Sequence, residues 1–372
     1  MTQCIIIGSG ILGSTTAYRL AKSGVDVTLI DKHVEGKATS AAAGIICPWL
    51  TKRRNKAWYH LATEGARLYP KLVEELNSDG EIHTGYAHVG ALKLHNKDDE
   101  LMDAYHRGMK QIKDIPEMGR LEILDHDDIN QLIPLIDEEY HAIHITGAAR
   151  VDGKLMNEAL INGAINHGAK IIHGKAIIQH DSDHEVSVLV NGHTLKADTI
   201  VCTTGAWMKE TLQPLGMTFK SRPQRGQILH LKSPGLDLKE WPVVMPPNNL
   251  SIVPFGEHLV IGSTHENNAG FNTQVTAGGV HEILNRALNV IPKLANWSLL
   301  ETRVGFRPMT PDSMPVIGAL PGYENIFIGN GLGASGLTTG PYVGEQLARL
   351  VLGQELQVNL TEYDVTNVIK NN

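Results

Sequence analysis

The first thirty-one residues leave this chain few architectural choices. Cys4-Ile5-Ile6-Ile7 is an apolar, β-branched run of the kind that fills a strand buried on both faces. It leads directly into Gly8-Ser9-Gly10-Ile11-Leu12-Gly13, a G-x-G-x-x-G turn, and then into a helix-compatible stretch over 14–22 that Gly24 ends. Residues 25–30 read as a second strand, with Asp31 at its tip. Strand, glycine turn, helix, strand and acid in that order describe a βαβ unit that takes a dinucleotide. Gly8 permits the tight turn, Gly10 lets the backbone approach a pyrophosphate, and Gly13 lets helix and strand pack closely. The helix N-terminus turns unpaired N–H groups and a partial positive charge toward the phosphates. Asp31 is placed to accept hydrogen bonds from ribose hydroxyls and would repel a 2′-phosphate, which disfavours an NADP-type ligand. The competing reading is a glycine-rich structural turn, and the motif alone leaves the identity of the dinucleotide open.

Bulk properties narrow the remaining field. At 372 residues the chain exceeds the size at which one core keeps growing, so two domains are expected. A net charge of -7 argues against a nucleic-acid partner or an acidic membrane surface. No apolar run approaches the ~20 residues of a membrane span, and no basic-led signal peptide precedes the first strand, so no integral membrane segment is expected. Cys4, Cys47 and Cys202 are odd in number and lack C-x-x-C spacing, which suits a reduced, cytoplasmic setting. The 18 histidines are scattered. His141 and His144 lie in an alternating strand pattern that sends them to opposite faces, and His180 and His184 flank a polar turn. No metal site is expected.

Along the chain, residues 39–46 (Thr39-Ser40-Ala41-Ala42-Ala43-Gly44-Ile45-Ile46) form a small-residue segment. A helical stripe follows over 58–76, which Pro70 is expected to kink or split. Residues 85–148 change character, with strands such as Ala91-Leu92-Lys93-Leu94 and a charged helix over 98–111. A helix opened by Val151-Asp152-Gly153-Lys154 runs through about His167 and stops at Gly168, a strand covers 170–172, and a hairpin is expected across Asn191-Gly192. Residues 198–202 form another buried strand, ending in Thr203-Thr204-Gly205-Ala206-Trp207. Residues 225–304 are strand-rich again, with a helix near 280–291. A last buried strand, Ile326-Phe327-Ile328, leads into a glycine-rich segment and a helix over 341–352 that Pro341 would open. Dinucleotide-fold segments thus stand at the start, middle and end, with two strand-rich insertions between them.

Taken in order, these motifs resemble those of the FAD-dependent family of D-amino-acid oxidases, glycine and sarcosine oxidases, and D-amino-acid dehydrogenases. The likeness rests on Gly8–Gly13 with Asp31, on residues 39–44, on Ala149-Arg150-Val151-Asp152-Gly153, and on Arg225-Gly226-Gln227. It rests equally on Gly305-Phe306-Arg307-Pro308-Met309-Thr310-Pro311-Asp312 and on the glycine-rich residues 329–340. It covers nearly the whole chain, and residues 39–44 look closest to glycine oxidase. The resemblance implies an α/β fold (α+β overall): a Rossmann-like FAD-binding domain built from 1–84, 149–220 and 325–372. An antiparallel-sheet substrate domain, from 85–148 and 221–324, would be inserted into it. It implies FAD as the dinucleotide, with Ile11 and Leu12 at the pyrophosphate and Asp31 and Lys32 at the adenosine ribose. Thr39, Ser40, Ala43, Gly44 and Ile45 would line the path to the isoalloxazine, and Ala176 would meet the adenine. Gly205 joins the cofactor set, and Leu332, Gly333, Ala334, Ser335, Gly336, Leu337 and Thr338 would wrap the pyrimidine edge. Gly305 stands where sarcosine oxidases carry the cysteine that attaches flavin, so non-covalent FAD is implied.

By the same resemblance Arg307 takes the substrate carboxylate, a planar, bidentate group that matches a guanidinium fork; the bland alternative pairs it with Asp312 in a turn. The implied reaction oxidises the CH–NH bond of an amino acid or N-substituted amino acid by hydride transfer to flavin N5. O₂ or a quinone would be the acceptor. Two departures from glycine oxidase stand out: Ala334 or Ser335 replaces a second arginine, and Ser251 replaces a tyrosine, which points to a bulkier amine than glycine. Cys47 reads as a buried structural thiol. An NAD-dependent dehydrogenase, a flavoprotein domain of a tRNA-modifying or multi-subunit system, and a non-catalytic FAD scaffold remain alternatives.

Overall fold

The computed structural model describes residues 2–180 and 186–371. The longer elements begin with β1 (Gln3–Ile7), α1 (Ile11–Lys22), β2 (Asp26–Asp31) and α2 (Lys56–Ser78). The first insertion adds β3 (Ala91–His95), α3 (Asp98–Gln111), β4 (Leu121–Leu124) and β5 (His141–Ile145). Then come α4 (Gly153–Asn166), β6 (Lys170–His173) and β7 (Thr199–Cys202). The second insertion carries β8 (Arg222–Lys232), β9 (Val243–Met245), β10 (Ser251–Phe255), β11 (His258–Gly262), α5 (Ala277–Leu288) and β12 (Ser298–Met309). The chain closes with β13 (Val316–Ala319), β14 (Ile326–Asn330) and α6 (Gly336–Val351).

Two large sheets organise these elements. The first is six-stranded in the order β13-β14-β7-β1-β2-β6, parallel except for β13, which runs antiparallel to β14 at the edge. Burial on both faces explains the unbroken apolar runs: Cys4 to Ile7 and Thr199 to Cys202 are all buried. Helix α1 packs on α4 and α6, covering one face. The expected hairpin forms across Asn191 and Gly192, both with positive φ, and joins a small three-stranded sheet over Ile177–His180, Val186–Val190 and His193–Leu195. His180 bonds the Tyr323 hydroxyl at 3.0 Å; the turn at 181–184, with His184, lies outside the described residues.

The second sheet has eight strands in the order β12-β8-β11-β10-β9-β3-β5-β4. Every neighbouring pair is antiparallel but one. β9 from the second insertion lies parallel to β3 from the first, Val243 opposite Ala91. The two insertions therefore build one continuous sheet, and the expectation of an antiparallel sheet holds apart from the seam that joins them.

Three local expectations are corrected. Of the kink or split expected at Pro70, the split does not occur: α2 runs as one helix through it. Its stripe buries Trp58, Leu61, Tyr69, Leu72 and Leu76 on either side of the proline. At roughly 2 kcal/mol per large side chain, that burial outweighs the ~3 kcal/mol an interior proline costs. Pro341 is not in a first turn either, because α6 begins five residues earlier, at Gly336. The missing Pro341 N–H would orphan the carbonyl of Leu337, but the buried Tyr69 hydroxyl donates to that oxygen at 2.5 Å. Finally, Val316–Ala319 lies within residues expected in the substrate region, yet it pairs with β14 in the first sheet. Its length and Gly318 gave no local sign of which sheet it would join.

Candidate functional site

The carboxyl ends of β1, β2 and β7 open into one cleft, the position at which open α/β sheets bind ligands. On one side of β1 the cleft is lined by Asp31, Lys32 and Ala176, and on the other by Thr204, Gly205 and Asn330. The second sheet faces it with Gly226, Ile228, Ser251, Ser263 and Arg307. The start of α1 reaches the cleft through the turn predicted at residues 8–13. Gly13 is held there by contact: a Cβ would stand 1.9 Å from the Gly8 carbonyl oxygen and 2.4 Å from the Thr203 hydroxyl.

Two helix N-termini open into this space. Helix α1 has Gly10 at its N-cap, no side-chain cap and no acid in its first turn; the Ile11 N–H donates to the Thr39 hydroxyl at 3.0 Å. Helix α6 likewise has no side-chain cap and no acid in its first turn, and Gly336, Leu337 and Thr338 line the cleft. Two uncapped, acid-free helix starts on one cleft provide one site for a pyrophosphate and a second for delocalised negative charge. Asp31, buried at the tip of β2, accepts from the Ser9 N–H at 2.6 Å and pairs with the Lys37 ammonium. Lys32 stands 3.6 Å from Glu210.

Of the residues expected to hold a cofactor, Gly8, Gly10, Ile11, Leu12, Asp31, Lys32, Thr39, Ala43, Gly44, Ile45, Ala176 and Gly205 line the cleft. So do Leu332, Gly333, Ala334, Gly336, Leu337 and Thr338. Gly13, Ser40 and Ser335 do not: Gly13 supports the turn from beneath, the Ser40 hydroxyl bonds the Lys37 carbonyl, and Ser335 occupies the N-cap of α6. Sequence reading missed Lys37, Trp207, Asn249, Ser263 and His265, which also line the cleft. Lys37, Asn249, Ser263 and His265 come from loops or strand ends and Trp207 from the short 3-10 helix Gly205–Trp207, and no spacing signal marked any of them. Cys47 is buried and outside the lining; burial pushes its thiol up to about 12, which keeps it protonated and unreactive.

Arg307 sits on β12 opposite Gln224 of β8. Its guanidinium donates to the Gln224 side-chain oxygen and the Thr264 carbonyl, each at 3.1 Å, and to the Ser263 hydroxyl. Every one of these partners is neutral. Among the described residues no carboxylate pairs with Arg307, Asp312 included, and burial alone lowers its pKa to about 10. Neighbouring Arg225 differs: the Glu266 carboxylate pairs with it. A largely buried cation with neutral partners in the lining of a cleft is suited to receive an anion.

Gly226 makes room for this fork, because a Cβ there would lie 2.6 Å from one guanidinium nitrogen. Gly226→Ala is therefore expected to displace the guanidinium and weaken the binding of a carboxylate anion in the cleft about tenfold with the melting temperature preserved; anion titration of the purified variant checks it. Unaltered anion binding would separate Gly226 from the placement of Arg307.

Sheet, cleft and helix starts together define a dinucleotide-binding α/β protein. Residues 3–350 match the family described as FAD dependent oxidoreductase (DAO). The chain is 45% identical over 366 residues to the uncharacterized oxidoreductase YurR of Bacillus subtilis (strain 168), covering 98% of both chains. It superposes with a TM-score of 0.94 on iminodiacetate oxidase (IdaA) from Chelativorans sp. BNC1, at 41% identity over 97% of this chain and 98% of that one. Glycine oxidase from Geobacillus kaustophilus follows with a TM-score of 0.86, 27% identity, and 98% and 99% coverage. The chain belongs to the family of FAD-dependent oxidoreductases, and FAD is its dinucleotide. No described helix is long and apolar enough to cross a membrane, and no group of three or more metal-ligating side chains occurs among the described residues.

Proposed function

We propose that this chain oxidises the CH–NH bond of an amino acid or N-substituted amino acid whose carboxylate docks on Arg307. The observation that carries the proposal is the buried guanidinium with neutral partners alone, which a substrate carboxylate would neutralise. The two solved relatives support the same chemistry, since glycine and iminodiacetate both carry a carboxylate next to an amine-bearing carbon.

In this reading FAD is held without a covalent bond. The turn at residues 8–13 would take the pyrophosphate, Asp31 and Lys32 the ribose, and Ala176 the adenine, while residues 39–45 and Gly205 would border the path onward. Residues 332–338 at the start of α6 would meet the pyrimidine edge. The bound flavin supplies the hydride acceptor. The remaining work belongs to the protein: Arg307 fixes the carboxylate, and the Gly226–Gly305 pair leaves the fork and the cleft wall open beside it. Ala41, Ala42 and Ile228 give the lining an apolar surface there. A neutral substrate amine needs no side-chain base, so alignment provides most of the effect. The cofactor half follows the six-stranded sheet and the substrate half the eight-stranded one. Ser251 and Ala334, in place of larger groups, leave room for an N-substituent.

Anaerobic titration of the flavin-loaded protein tests this directly. Glycine, sarcosine, iminodiacetate, D-alanine and D-proline are added in turn while the visible flavin band is followed. Bleaching is expected with at least one N-substituted amino acid and more weakly with glycine. Return of colour on admitting O₂ would mark an oxidase, and return only with a quinone a dehydrogenase. If none of the five reduces the flavin, the proposal fails.

A further inference from the structure

Of the Arg225-Gly226-Gln227 stretch in β8, only Gly226 lines the cleft. Arg225 and Gln227 alternate with it along the strand and point to the opposite face of the sheet. There both side chains converge on Glu266, just past the end of β11. The Arg225 Nε donates to the Glu266 carboxylate at 3.1 Å and the Gln227 amide at 2.8 Å. Gln227 is fixed in turn by Thr276, which donates its N–H to the Gln227 side-chain oxygen and accepts from the amide at its hydroxyl, each at 3.0 Å. Arg225 is 5% exposed and Gln227 wholly buried, so the carboxylate is met by groups that have no freedom to move away.

Thr264 joins this network to the cleft. Its hydroxyl donates to Glu266 at 2.7 Å and accepts from the Gln227 N–H at 3.0 Å, while its carbonyl accepts from Arg307 at 3.1 Å. Ser263, one residue earlier, offers its hydroxyl to the same guanidinium. Two of the three acceptors that hold Arg307 therefore belong to residues 263–265, which lie outside the strands. Their path is tied to β8 by the Thr264 N–H on the Gln227 carbonyl and the Glu266 N–H on the Arg225 carbonyl. The coupling is one of position and not of charge. Arg225 and Glu266 neutralise each other, and burial lowers the Arg307 pKa without a contribution from either.

We propose that Glu266 is a positioning residue for the carboxylate site. Anchored behind the cleft wall by Arg225 and Gln227, it fixes Thr264, and through the Thr264 carbonyl it sets the direction in which Arg307 presents its fork. None of Arg225, Gln227, Thr264 and Glu266 lines the cleft, so they act on a bound anion only through Arg307. The inference rests on the reading that Arg307 receives the substrate carboxylate.

Titration of the FAD-loaded protein with acetate, a carboxylate with no amine to oxidise, tests it; binding is read from the change in the visible flavin band, so only folded, loaded sites are counted. Thr264→Val removes the hydroxyl and leaves every charge in place, and it is expected to weaken acetate binding about tenfold, the usual cost of a binding group left loose by its support. Glu266→Ala is expected to weaken it to a similar degree, and Glu266→Gln to recover most of that loss, because its side-chain oxygen can still accept from Thr264. Both substitutions at Glu266 remove the same charge and unmask Arg225, which by itself would tighten acetate binding in both. The difference between them therefore reads the anchor alone. Native affinity in Thr264→Val, equal affinities in Glu266→Ala and Glu266→Gln, or tighter binding in Glu266→Ala overturns the inference; where Glu266→Ala does not load flavin, Thr264→Val decides. Arg307→Ala in the same titration separates the two readings. If it abolishes acetate binding while Thr264→Val stays native, the positioning role alone fails; if it leaves binding unchanged, the carboxylate reading fails and the positioning role with it.

Discussion

Arg307→Ala is expected to lower kcat/KM by about a thousandfold, mostly through KM. Truncating one partner of a buried, hydrogen-bonded charge pair typically costs about 2–5 kcal/mol, and the upper half of that range applies where the fork is largely buried and prearranged. Arg307→Lys should recover only part of the loss, since an ammonium cannot offer two parallel N–H groups. The sign of the stability change sharpens the test. In the free enzyme the guanidinium is a buried charge with neutral partners, so Arg307→Met is expected to melt no lower than the native protein, and even higher. Steady-state kinetics and thermal melts on the same preparations decide it. A variant that keeps its KM and melts much lower would show instead that Arg307 braces Gln224 and Ser263.

Gly13→Val has the second largest expected effect, and it acts on the cofactor. Already the first side-chain carbon would lie 1.9 Å from the Gly8 carbonyl and 2.4 Å from the Thr203 hydroxyl, and the closer contact is with backbone that cannot swing aside. Helix α1 would have to lift away from β1 and β7, turning its free N–H groups off the cleft. Overpacking of this kind costs about 3 kcal/mol, equivalent to roughly 4 °C in Tm for a chain of 372 residues. The purified variant is expected to be colourless, or to lose its flavin on dialysis, and absorbance after gel filtration checks this. A yellow variant with native flavin content would remove the close helix–strand contact from the account of cofactor binding.

Much of the fold could be read from the sequence because its signals are local. The strand at Cys4 to Ile7, the glycine turn and Asp31 lie within one short stretch, and the α3 boundaries follow from an uninterrupted charged pattern between Asp98 and Gln111. The Asp152 cap of α4 and the positive-φ Asn191-Gly192 turn are likewise written in adjacent residues. What escaped is set by partners far along the chain. Nothing near Val243 says that it will lie parallel to Ala91, and nothing near Val316 says that it will complete the first sheet rather than the second. The same holds at the cleft. Arg307 could be picked out by its motif, whereas its neutral surroundings depend on Gln224 and on Ser263 and Thr264, brought in by β8 and the end of β11. The start of α6 was misplaced because a hydroxyl from α2 makes up for the donor that Pro341 lacks.

The strand order of the first sheet also governs how this protein can be made. β1 lies inside the sheet, and one of its two neighbours, β7, follows almost two hundred residues later in the chain, Ile7 resting against Cys202. β14 then flanks β7, and α6, whose start lines the cleft, comes after it. No nascent chain shorter than about the start of α6 contains both helix starts that face the cleft, so a ribosome-bound fragment has half of the anion-binding surface at most. On the reading proposed above, full capture of the flavin therefore waits until the start of α6 has been made.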